Sequence, residues 1–561
     1  MSAPHSPTEL QRLNCLNSAP IASKERPRRA ESAVSGWTAW DVALLAAAVL
    51  SMAMVAIIRM PKKPLWTDEV FSVVVVSDPS FRHMMQALAG AADGGLPLYY
   101  AAAHAWAAVF SASAISLRWF SAVSFFASVP CLWFALRRFY GTLASAFAMA
   151  FVICGSTVIA NQVIEARFYG LMFLAFSVAV LLFAFSIRMP APSWRMLAAI
   201  AAAHLCLAES HLFGVMYSAV ILLAYFLSDV RRRNLRPQLY AAVVLSWLPL
   251  ALWVGPVVRI IATGRPHGWM TKPQVSDLLG AYAFGLQLLP VLPYIIVLLA
   301  AVATWSVTQR IPRANPSEPR ADILFLTAAL ALVPIGLTGI SYWMVPLLQP
   351  RYVLPCAFAL CVALAEVVTL AGLDEFPRAQ TDRSWLAGVS TAVCIAVISG
   401  LLLGPVIMAR ASPRHLPAAI HAALPPSVPI VVEHPQEFMP LVEYERADRD
   451  RLRFLLDSDA AALPDTWIGS VVMDNLLRNW RSFGYWPDRI LDYRSALCSW
   501  DSFVVFHDPG IRWFDFRIRD DPNFHARKID NYDNDGPQGV QTGTVYLVRR
   551  LGTPSYCVHG Q

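Results

Sequence analysis

Long apolar runs separated by short polar turns occupy most of the chain up to about residue 409. A membrane-spanning helix needs about 20 apolar residues. The fifth and sixth of the runs below are short, so they form either two spans or one long kinked segment. The runs predict eleven spans, near 38–59, 116–136, 141–160, 168–187, 195–210, 211–228, 238–259, 279–307, 321–345, 352–373 and 384–408. A further run at 97–111 is too short to span and predicts an interfacial or re-entrant helix.

The pattern changes after Ala411, where charged residues become frequent and no long apolar run follows. Short apolar or alternating segments there are typical of strands. The strands are expected at 428–432, 453–456, 502–506 and 545–548, with a helix at 438–444. Residues 410–561 are therefore expected to form a small α/β domain.

Composition decides the class of protein. Of the 561 residues, 57% are hydrophobic and 15% are charged, whereas a soluble domain carries about 25% charged residues. Too few polar residues remain to cover a water-facing surface. We expect an all-α polytopic membrane protein with about eleven transmembrane helices at 37–409, followed by the C-terminal α/β domain.

The arginines indicate how the chain crosses the membrane, because cytoplasmic loops are enriched in Lys and Arg. With the N-terminus inside, residues 1–36 form a disordered cytoplasmic tail, and 60–115 and 410–561 lie outside. The net charge of +7 is explained by this topology and predicts no nucleic-acid partner. Cys498 and Cys557 then either pair or stay apart, and the sequence leaves both open. The cytoplasmic loops would contain Arg137, Arg138, Arg188, Arg195, Arg231, Arg232, Arg233, Arg236, Arg310, Arg313, Arg320, Arg378 and Arg383.

Two adjacent carboxylates, Asp68 and Glu69, follow directly on the first span. Transfer of a sugar to a hydroxyl needs a carboxylate to accept or orient the proton. If the donor is a lipid phosphate, cations must also hold the departing phosphate, and arginine can bind two of its oxygens at once. The same topology places further candidates on the outer face: Arg82, Arg167, Tyr169, Glu209, His211, Arg351 and Tyr352.

Four short motifs occur in order along residues 38–375: Trp66-Thr67-Asp68-Glu69, Leu96-Pro97-Leu98-Tyr99-Tyr100, Ala166-Arg167-Phe168-Tyr169-Gly170-Leu171 and Arg351-Tyr352-Val353-Leu354-Pro355. Together they resemble the GT-C glycosyltransferases of the protein O-mannosyltransferase and aminoarabinose (lipid A) transferase type. The chain departs from that family's usual His-Pro-Pro at Gly94-Gly95-Leu96-Pro97. The acceptor side of the first outer loop is therefore not defined by the resemblance.

The resemblance implies a multi-pass enzyme of the bacterial inner membrane, with its C-terminal domain in the periplasm. It would move a sugar from a polyprenyl-phosphate donor to a lipid, glycan or protein acceptor. It implies that Asp68 is catalytic with Glu69 beside it, and that Arg167 lies near the lipid phosphate. We expect no cofactor and no metal, and membrane lipids as surroundings.

Each candidate also has a structural interpretation. The acidic pair can cap a helix, Arg167 and Arg351 can anchor at headgroups, and Tyr169 and Tyr352 can belong to an interfacial aromatic belt. Glu209 and His211 can contact substrate or a divalent ion, or form a satisfied polar pair. The alternative functions are a lipid-linked-sugar flippase or other transporter, an oligosaccharide polymerase or ligase, and a membrane scaffold.

Overall fold

The structure, a computed structural model, describes residues 39–264, 270–284, 318–344, 346–370, 404, 427–536 and 539–558. Helices form the membrane part. They are α1 Ala39–Arg59, α2 Thr67–Val76, α3 Phe81–Ala89, α4 Pro97–Val109, α5 Ala114–Arg137, α6 Thr142–Ala148, α7 Thr157–Val163, α8 Tyr169–Ser186, α9 Trp194–Ser210, α10 Leu212–Arg232, α11 Pro237–Leu245, α12 Val254–Thr263, α13 Val275–Ala283, α14 Glu318–Trp343 and α15 Ala357–Leu370. Short π and 3-10 segments extend α6 and link α11 to α12.

Seven stretches of the described residues are long and apolar enough to cross a membrane, and the bent pair α6–α7 makes up to eight. The prediction of a polytopic membrane protein is thus confirmed, whereas the count of eleven stays a prediction. The run at 195–210 corresponds to α9, a separate helix of 17 residues. Residues 1–36, the part of the run at 279–307 from residue 285 onward, and the run at 384–408 apart from residue 404 lie outside the described ranges.

The third predicted span is not a straight helix. Its two parts, Thr142–Ile153 and Thr157–Val163, meet at 71°. The short run at 97–111 is α4, which begins with Pro97 at its first position, where the missing N–H costs no helical hydrogen bond. The bend shows that apolar length alone does not predict a straight span, whereas the short run at 97–111 agrees with its prediction as too short to cross.

Helix α8 lies very close to α5, and Gly170 makes this approach possible. A β-carbon at Gly170 would lie 2.6 Å from the carbonyl oxygen of Ser121 on α5. The hydroxyl of Ser121 donates to the carbonyl oxygen of Arg167 at 3.0 Å, and the rings of Phe125 and Phe173 pack 5.4 Å apart. This contact fixes the start of α8 against the N-terminal half of α5.

Ion pairs gather at the opposite end of the helices from α2. Arg137 pairs with Asp41 at 2.9 Å, and Arg236 pairs with Asp229 at 2.8 Å. Asp322 at the start of α14 pairs with two arginines at the end of α10. These arginines belong to the basic loops that the sequence assigned to the cytoplasm.

The C-terminal part is an α/β domain around one six-stranded sheet. The strands are β1 Ile430–Val432, β2 Leu452–Leu456, β3 Ile490–Asp492, β4 Ser502–His507, β5 Phe524–Gly536 and β6 Gly539–Arg550, in the order β3-β2-β1-β4-β6-β5. The first four are parallel, and β6 and β5 extend the sheet antiparallel. The helices are α16 Pro435–Tyr444, α17 Ser458–Ala461, α18 Ser470–Ser482, α19 Tyr493–Ser499 and α20 Ser555–Val558. All four predicted strands and the predicted helix are confirmed.

A disulfide joins Cys498 on α19 to Cys557 on α20, which resolves the alternative that the sequence left open. The bond ties the last helix to the parallel half of the domain. Disulfides persist in oxidising compartments such as the periplasm. The pair therefore agrees with the predicted outer location of the domain.

The C-terminal domain packs on the segment 60–115, the predicted first outer loop. The hydroxyl of Tyr444 accepts from the backbone N–H of Leu65 at 2.7 Å. The ring of Trp480 lies edge-on to Phe71, with centroids 4.6 Å apart, and its indole N–H donates to the carbonyl of Ala92 at 2.7 Å. These contacts place the domain over the segment that carries the acidic pair.

Candidate functional site

Glu69 is fully buried and bound by arginine. It occupies the first turn of α2, where its carboxylate accepts from the backbone N–H of Trp66 at 3.4 Å. Arg118 on α5 donates to both carboxylate oxygens, from Nε and Nη2, each at 2.8 Å. The backbone N–H of Ala166 donates to the same carboxylate at 2.9 Å. One side chain thus ties α2 to α5 and to the segment that precedes Arg167.

Arg118 has further partners in the turn between α1 and α2. It donates to the carbonyl oxygens of Met60 at 2.9 Å, Lys63 at 2.7 Å and Pro64 at 3.2 Å. An arginine this deeply buried is costly unless every donor finds an acceptor. The contacts show that Arg118 fixes the course of the chain into α2.

Glu69 stays ionised in this environment. Burial by itself would raise the pKa of Glu69, but the charges of Arg118 and Lys63 and the hydrogen bonds outweigh it and lower that pKa. A fully paired carboxylate of low pKa is poorly suited to accept a proton. Its contacts instead suit a group that holds its neighbours in place.

Asp68 differs from its neighbour in both exposure and partners. Its side chain is 30% exposed, and its carboxylate lies 3.8 Å from Nη2 of Arg351. Arg351 stacks over the ring of Trp66 at 5.0 Å and that of Tyr352 at 5.5 Å. The structure thus brings together a partly exposed carboxylate and a guanidinium held by aromatic rings. The two residues lie far apart in the chain.

Arg167 is buried directly behind Asp68. Its Nη1 donates to the backbone carbonyl of Asp68 at 2.9 Å, to the hydroxyl of Ser72 at 3.0 Å and to the carboxylate of Asp93 at 2.9 Å. Burial lowers the pKa of Arg167, but the charges of Asp93 and Asp68 outweigh it, so that pKa is raised. Nε of Arg167 has no hydrogen-bond partner within the described residues. Arg167 therefore holds the backbone of Asp68 through Nη1, while its Nε–H remains without an acceptor among these residues.

Aromatic rings close the site beside the arginines. His211 lies 4.5 Å from the ring of Phe168, 5.9 Å from Tyr169 and 5.6 Å from Tyr352. Its Nδ1 accepts from the backbone N–H of Phe213 and caps α10. Burial, with the charges of Arg167 and Arg351, lowers the pKa of His211 to about 3. His211 is therefore a neutral member of this wall at physiological pH.

Two of the predicted site residues are not joined to this group. Arg82 is exposed on α3, and within the described residues no hydrogen bond or ion pair links it to Asp68. Glu209 is 8% exposed at the end of α9. Across the ranges that the structure covers, its Oε1 has no hydrogen-bond partner. Hence the suggested pairing of Glu209 with His211 is not seen as a hydrogen bond or ion pair there.

Sequence reasoning missed Arg118, Asp93 and Lys63. Arg118 lies inside an apolar run, and a charge at such a position needs a buried partner, so it was a detectable signal. Asp93 precedes the two glycines of the departure from the family pattern. Lys63 donates to Glu165 at 2.6 Å, a contact between segments far apart in the chain that no local pattern reveals.

The described residues contain no group of three or more His, Cys, Asp or Glu side chains that could hold a metal ion. The expectation that the protein uses no metal remains a prediction. The charged groups of the site described above are arginine and carboxylate side chains.

Comparison with known proteins adds evidence on the fold. No protein-family model and no curated protein matches the sequence. Crystal structures of ArnT from Cupriavidus metallidurans do match in three dimensions. The apo structure superposes with a TM-score of 0.52 at 11% identity, over 91% of this chain and 97% of that one.

The structure of the same ArnT bound to undecaprenyl phosphate gives a TM-score of 0.50 at 12% identity, over 91% of this chain and 98% of that one. At such identity the match concerns the fold. The resemblance to GT-C transferases of the aminoarabinose type, seen first in four short motifs, is confirmed at that level. Over the matched 91% of its length, the chain is similar in fold to ArnT.

Proposed function

We propose that the protein is an integral-membrane glycosyltransferase that moves a sugar from a polyprenyl-phosphate donor to a lipid, glycan or protein acceptor. The observation that carries the proposal is the partly exposed carboxylate of Asp68 facing Arg351, 3.8 Å away. This pair lies on a fold shared with an ArnT that binds undecaprenyl phosphate. That likeness supports a lipid phosphate as the leaving group.

Asp68 would act on the acceptor. As the acceptor oxygen attacks the anomeric carbon, Asp68 takes the hydroxyl proton, and the bond between that carbon and the phosphate oxygen breaks. The electron pair of the broken bond stays on the phosphate. The products are the glycosylated acceptor and the polyprenyl phosphate, and the proton remains on Asp68 until it passes to solvent.

Arg351 would neutralise the departing phosphate, with Arg167 in support. A planar guanidinium can bind two phosphate oxygens, and the rings of Trp66 and Tyr352 hold Arg351 in orientation. Nη1 of Arg167 already donates to three protein atoms. Its main effect on the reaction would therefore come through the position of Asp68.

Glu69 would act as a positioning residue. Its carboxylate is saturated by Arg118 and Ala166, which leaves no oxygen open to substrate. By holding α2 against α5 it sets the direction in which Asp68 points. The acidic pair thus divides into one open and one structural carboxylate.

The site would face the periplasm of a bacterial inner membrane, with the N-terminus in the cytoplasm. Arg137, Arg231, Arg232 and Arg236 lie at the other end of the helices, as expected for cytoplasmic loops. The disulfide-bonded C-terminal domain covers the end of the helices at which the site around Asp68 lies. Reporter fusions at residues 85, 233 and 450 test this topology, since 85 and 450 should report outside and 233 inside.

The experiment is a transfer assay with the full-length protein in nanodiscs, radiolabelled polyprenyl-phosphate pentoses and hexoses, and bacterial envelope fractions as acceptors. We expect Asp68→Asn to lower kcat by about 10²–10⁴-fold, because a carboxamide cannot accept the proton. Asp465→Asn, which removes a carboxylate that is 78% exposed, is the matched control. Arg351→Lys keeps the positive charge but loses the planar guanidinium that can bind two phosphate oxygens. The transfer rate of this variant should therefore fall between those of Arg351→Ala and wild type.

Wild-type activity in Asp68→Asn would refute the role of Asp68. A wild-type protein that moves the labelled lipid across the bilayer without transferring the sugar would establish the flippase alternative instead. Transfer that needs Asp68 but tolerates Arg351→Ala would assign the leaving phosphate to another cation.

A further inference from the structure

The C-terminal domain contains a pocket that shares no residue with the site around Asp68. It lies at the carboxyl ends of the parallel strands β1 and β2. Its enclosed volume is about 40 Å³, and the space reaches about 450 Å³ when the part open to solvent is included. Glu433 directly follows β1, and Asp457 directly follows β2. Ile511 and Trp513 come from the loop after β4.

This position is where open parallel sheets commonly bind ligands. In the strand order β3-β2-β1-β4, the chain runs outward from β1 to β3 and then returns to the other side of β1. Such a reversal separates the loops after the neighbouring strands and opens a crevice at their carboxyl ends. The loops after β1, β2 and β4 all contribute to the pocket wall.

Two polar groups of this wall are unsatisfied. The hydroxyl of Ser470 and the indole N–H of Trp513 have no hydrogen-bond partner among the residues that the structure describes. Ser470 is 7% exposed and Trp513 is 5% exposed. A buried donor without an acceptor is costly, and native proteins rarely retain one without a bound partner or water.

The charges of the pocket are balanced. Asp457 is bound by Arg517 at 2.7 and 3.0 Å, Asp474 by Arg478 at 2.9 Å, and Glu433 by His507 at 2.9 Å. Three carboxylates disfavour a phosphate or another anion. Because each carboxylate already has a basic partner, a cation would also gain little binding free energy in this pocket.

The rest of the wall is apolar, formed by Val431, Phe454, Leu455, Ile511 and the ring of Trp513. Such a surface suits the C–H faces of a small ring, while the indole N–H and the serine hydroxyl suit its hydroxyl groups. We propose that this pocket binds one neutral sugar ring, as a carbohydrate site separate from the proposed transferase site. This proposal does not depend on the transferase activity.

The test uses the full-length protein in nanodiscs, because maltoside detergents themselves carry sugars. Glucose, galactose, mannose and N-acetylglucosamine are the neutral probes, and inorganic phosphate and ethanolamine are the charged ones. Saturation-transfer NMR detects binding, and hydrogen–deuterium exchange locates it. We expect at least one monosaccharide to bind and to protect peptides covering 455–475 and 508–515.

Three variants test the site itself. Trp513→Phe keeps the ring and loses the donor, and Ser470→Ala loses the hydroxyl. Each should weaken binding about three- to tenfold, as expected for one neutral hydrogen bond. Ala461→Leu fills the pocket without removing any buried group and should abolish binding. Trp500→Phe, which changes a tryptophan outside the pocket, is the matched control and should leave binding unchanged.

The proposal is overturned if no monosaccharide binds, which would leave ordered water as the partner of the two donors. It is equally overturned if phosphate or ethanolamine protects the same peptides in place of a sugar. Sugar binding that survives all three variants would place the carbohydrate elsewhere on the protein. Unchanged melting temperatures of the variants show that a loss of binding is not a loss of folding.

Discussion

Replacement of Glu69 by glutamine tests whether the acidic pair is divided as the structure indicates. Glutamine keeps the shape of the side chain but removes the charge that Arg118 binds through two 2.8 Å hydrogen bonds. The side chains of Glu69 and Arg118 are 0% and 2% exposed, so solvent does not screen the pair. Removing one partner of a buried ion pair costs about 3–5 kcal/mol, because the other charge stays buried.

We therefore expect Glu69→Gln to lower the free energy of unfolding by about 3–5 kcal/mol, measured by denaturing titration in mixed micelles. Glu443→Gln is the matched control. Glu443 lies 3.7 Å from Arg449, with side chains 24% and 44% exposed, and an exposed pair contributes about 0–1 kcal/mol. Asp68→Asn should leave stability near that of wild type while it removes transfer.

A double-mutant cycle completes the test. Arg118→Gln breaks the same pair, so the double variant should lose clearly less stability than the sum of the two single variants. If Glu69→Gln is as stable as wild type, or if the two losses simply add, the pair does not hold the site together. A Glu69→Gln protein that folds normally yet has no transfer would return Glu69 to a catalytic role.

Three further predictions concern the C-terminal domain. Burial lowers the pKa of His507, but Glu433 outweighs it and raises that pKa. The stability that comes from protonated His507 is thus present below about pH 6.5 and is lost as pH rises through the folded pKa. The melting temperature should therefore fall as pH rises through that folded pKa, and His507→Gln should flatten the plot of melting temperature against pH. Parallel plots for the variant and the wild type would contradict this. Replacing Cys498 and Cys557 by serine should cost the domain about 2–4 kcal/mol in denaturant titration, and an unchanged midpoint would argue against a stabilising role. Trp480→Phe keeps the packing on Phe71 but loses the hydrogen bond to the first outer loop, which contributes about 1 kcal/mol. We expect faster hydrogen exchange at residues 88–95 in this variant. Unchanged exchange would show that the hydrogen bond does not hold the loop.

Much of the fold could be predicted from the sequence. Apolar length and the change of pattern after Ala411 predicted the membrane helices and the α/β domain. Alternating or continuous apolar segments predicted strands such as Ile430–Val432 and Ser502–His507, which the structure contains. These features depend on residues close together in the chain, so local periodicity reveals them.

The candidate site could be predicted only in outline. Charge bias along the loops predicted that Asp68, Arg167, His211 and Arg351 share one face, and the structure brings them together. It did not predict that Arg118 would bind Glu69. An arginine in an apolar run has many possible partners, and helix packing alone selects one.

The sequence by itself determined that this is a membrane protein with an acidic pair directly after its first span and a small C-terminal domain. Only the tertiary structure decided that the two carboxylates differ. Asp68 and Glu69 are neighbours with nearly identical chemistry, yet α5 delivers Arg118 to one and leaves the other open to Arg351. Burial and charge depend on what packs against a side chain, and that is set by segments far apart in the chain.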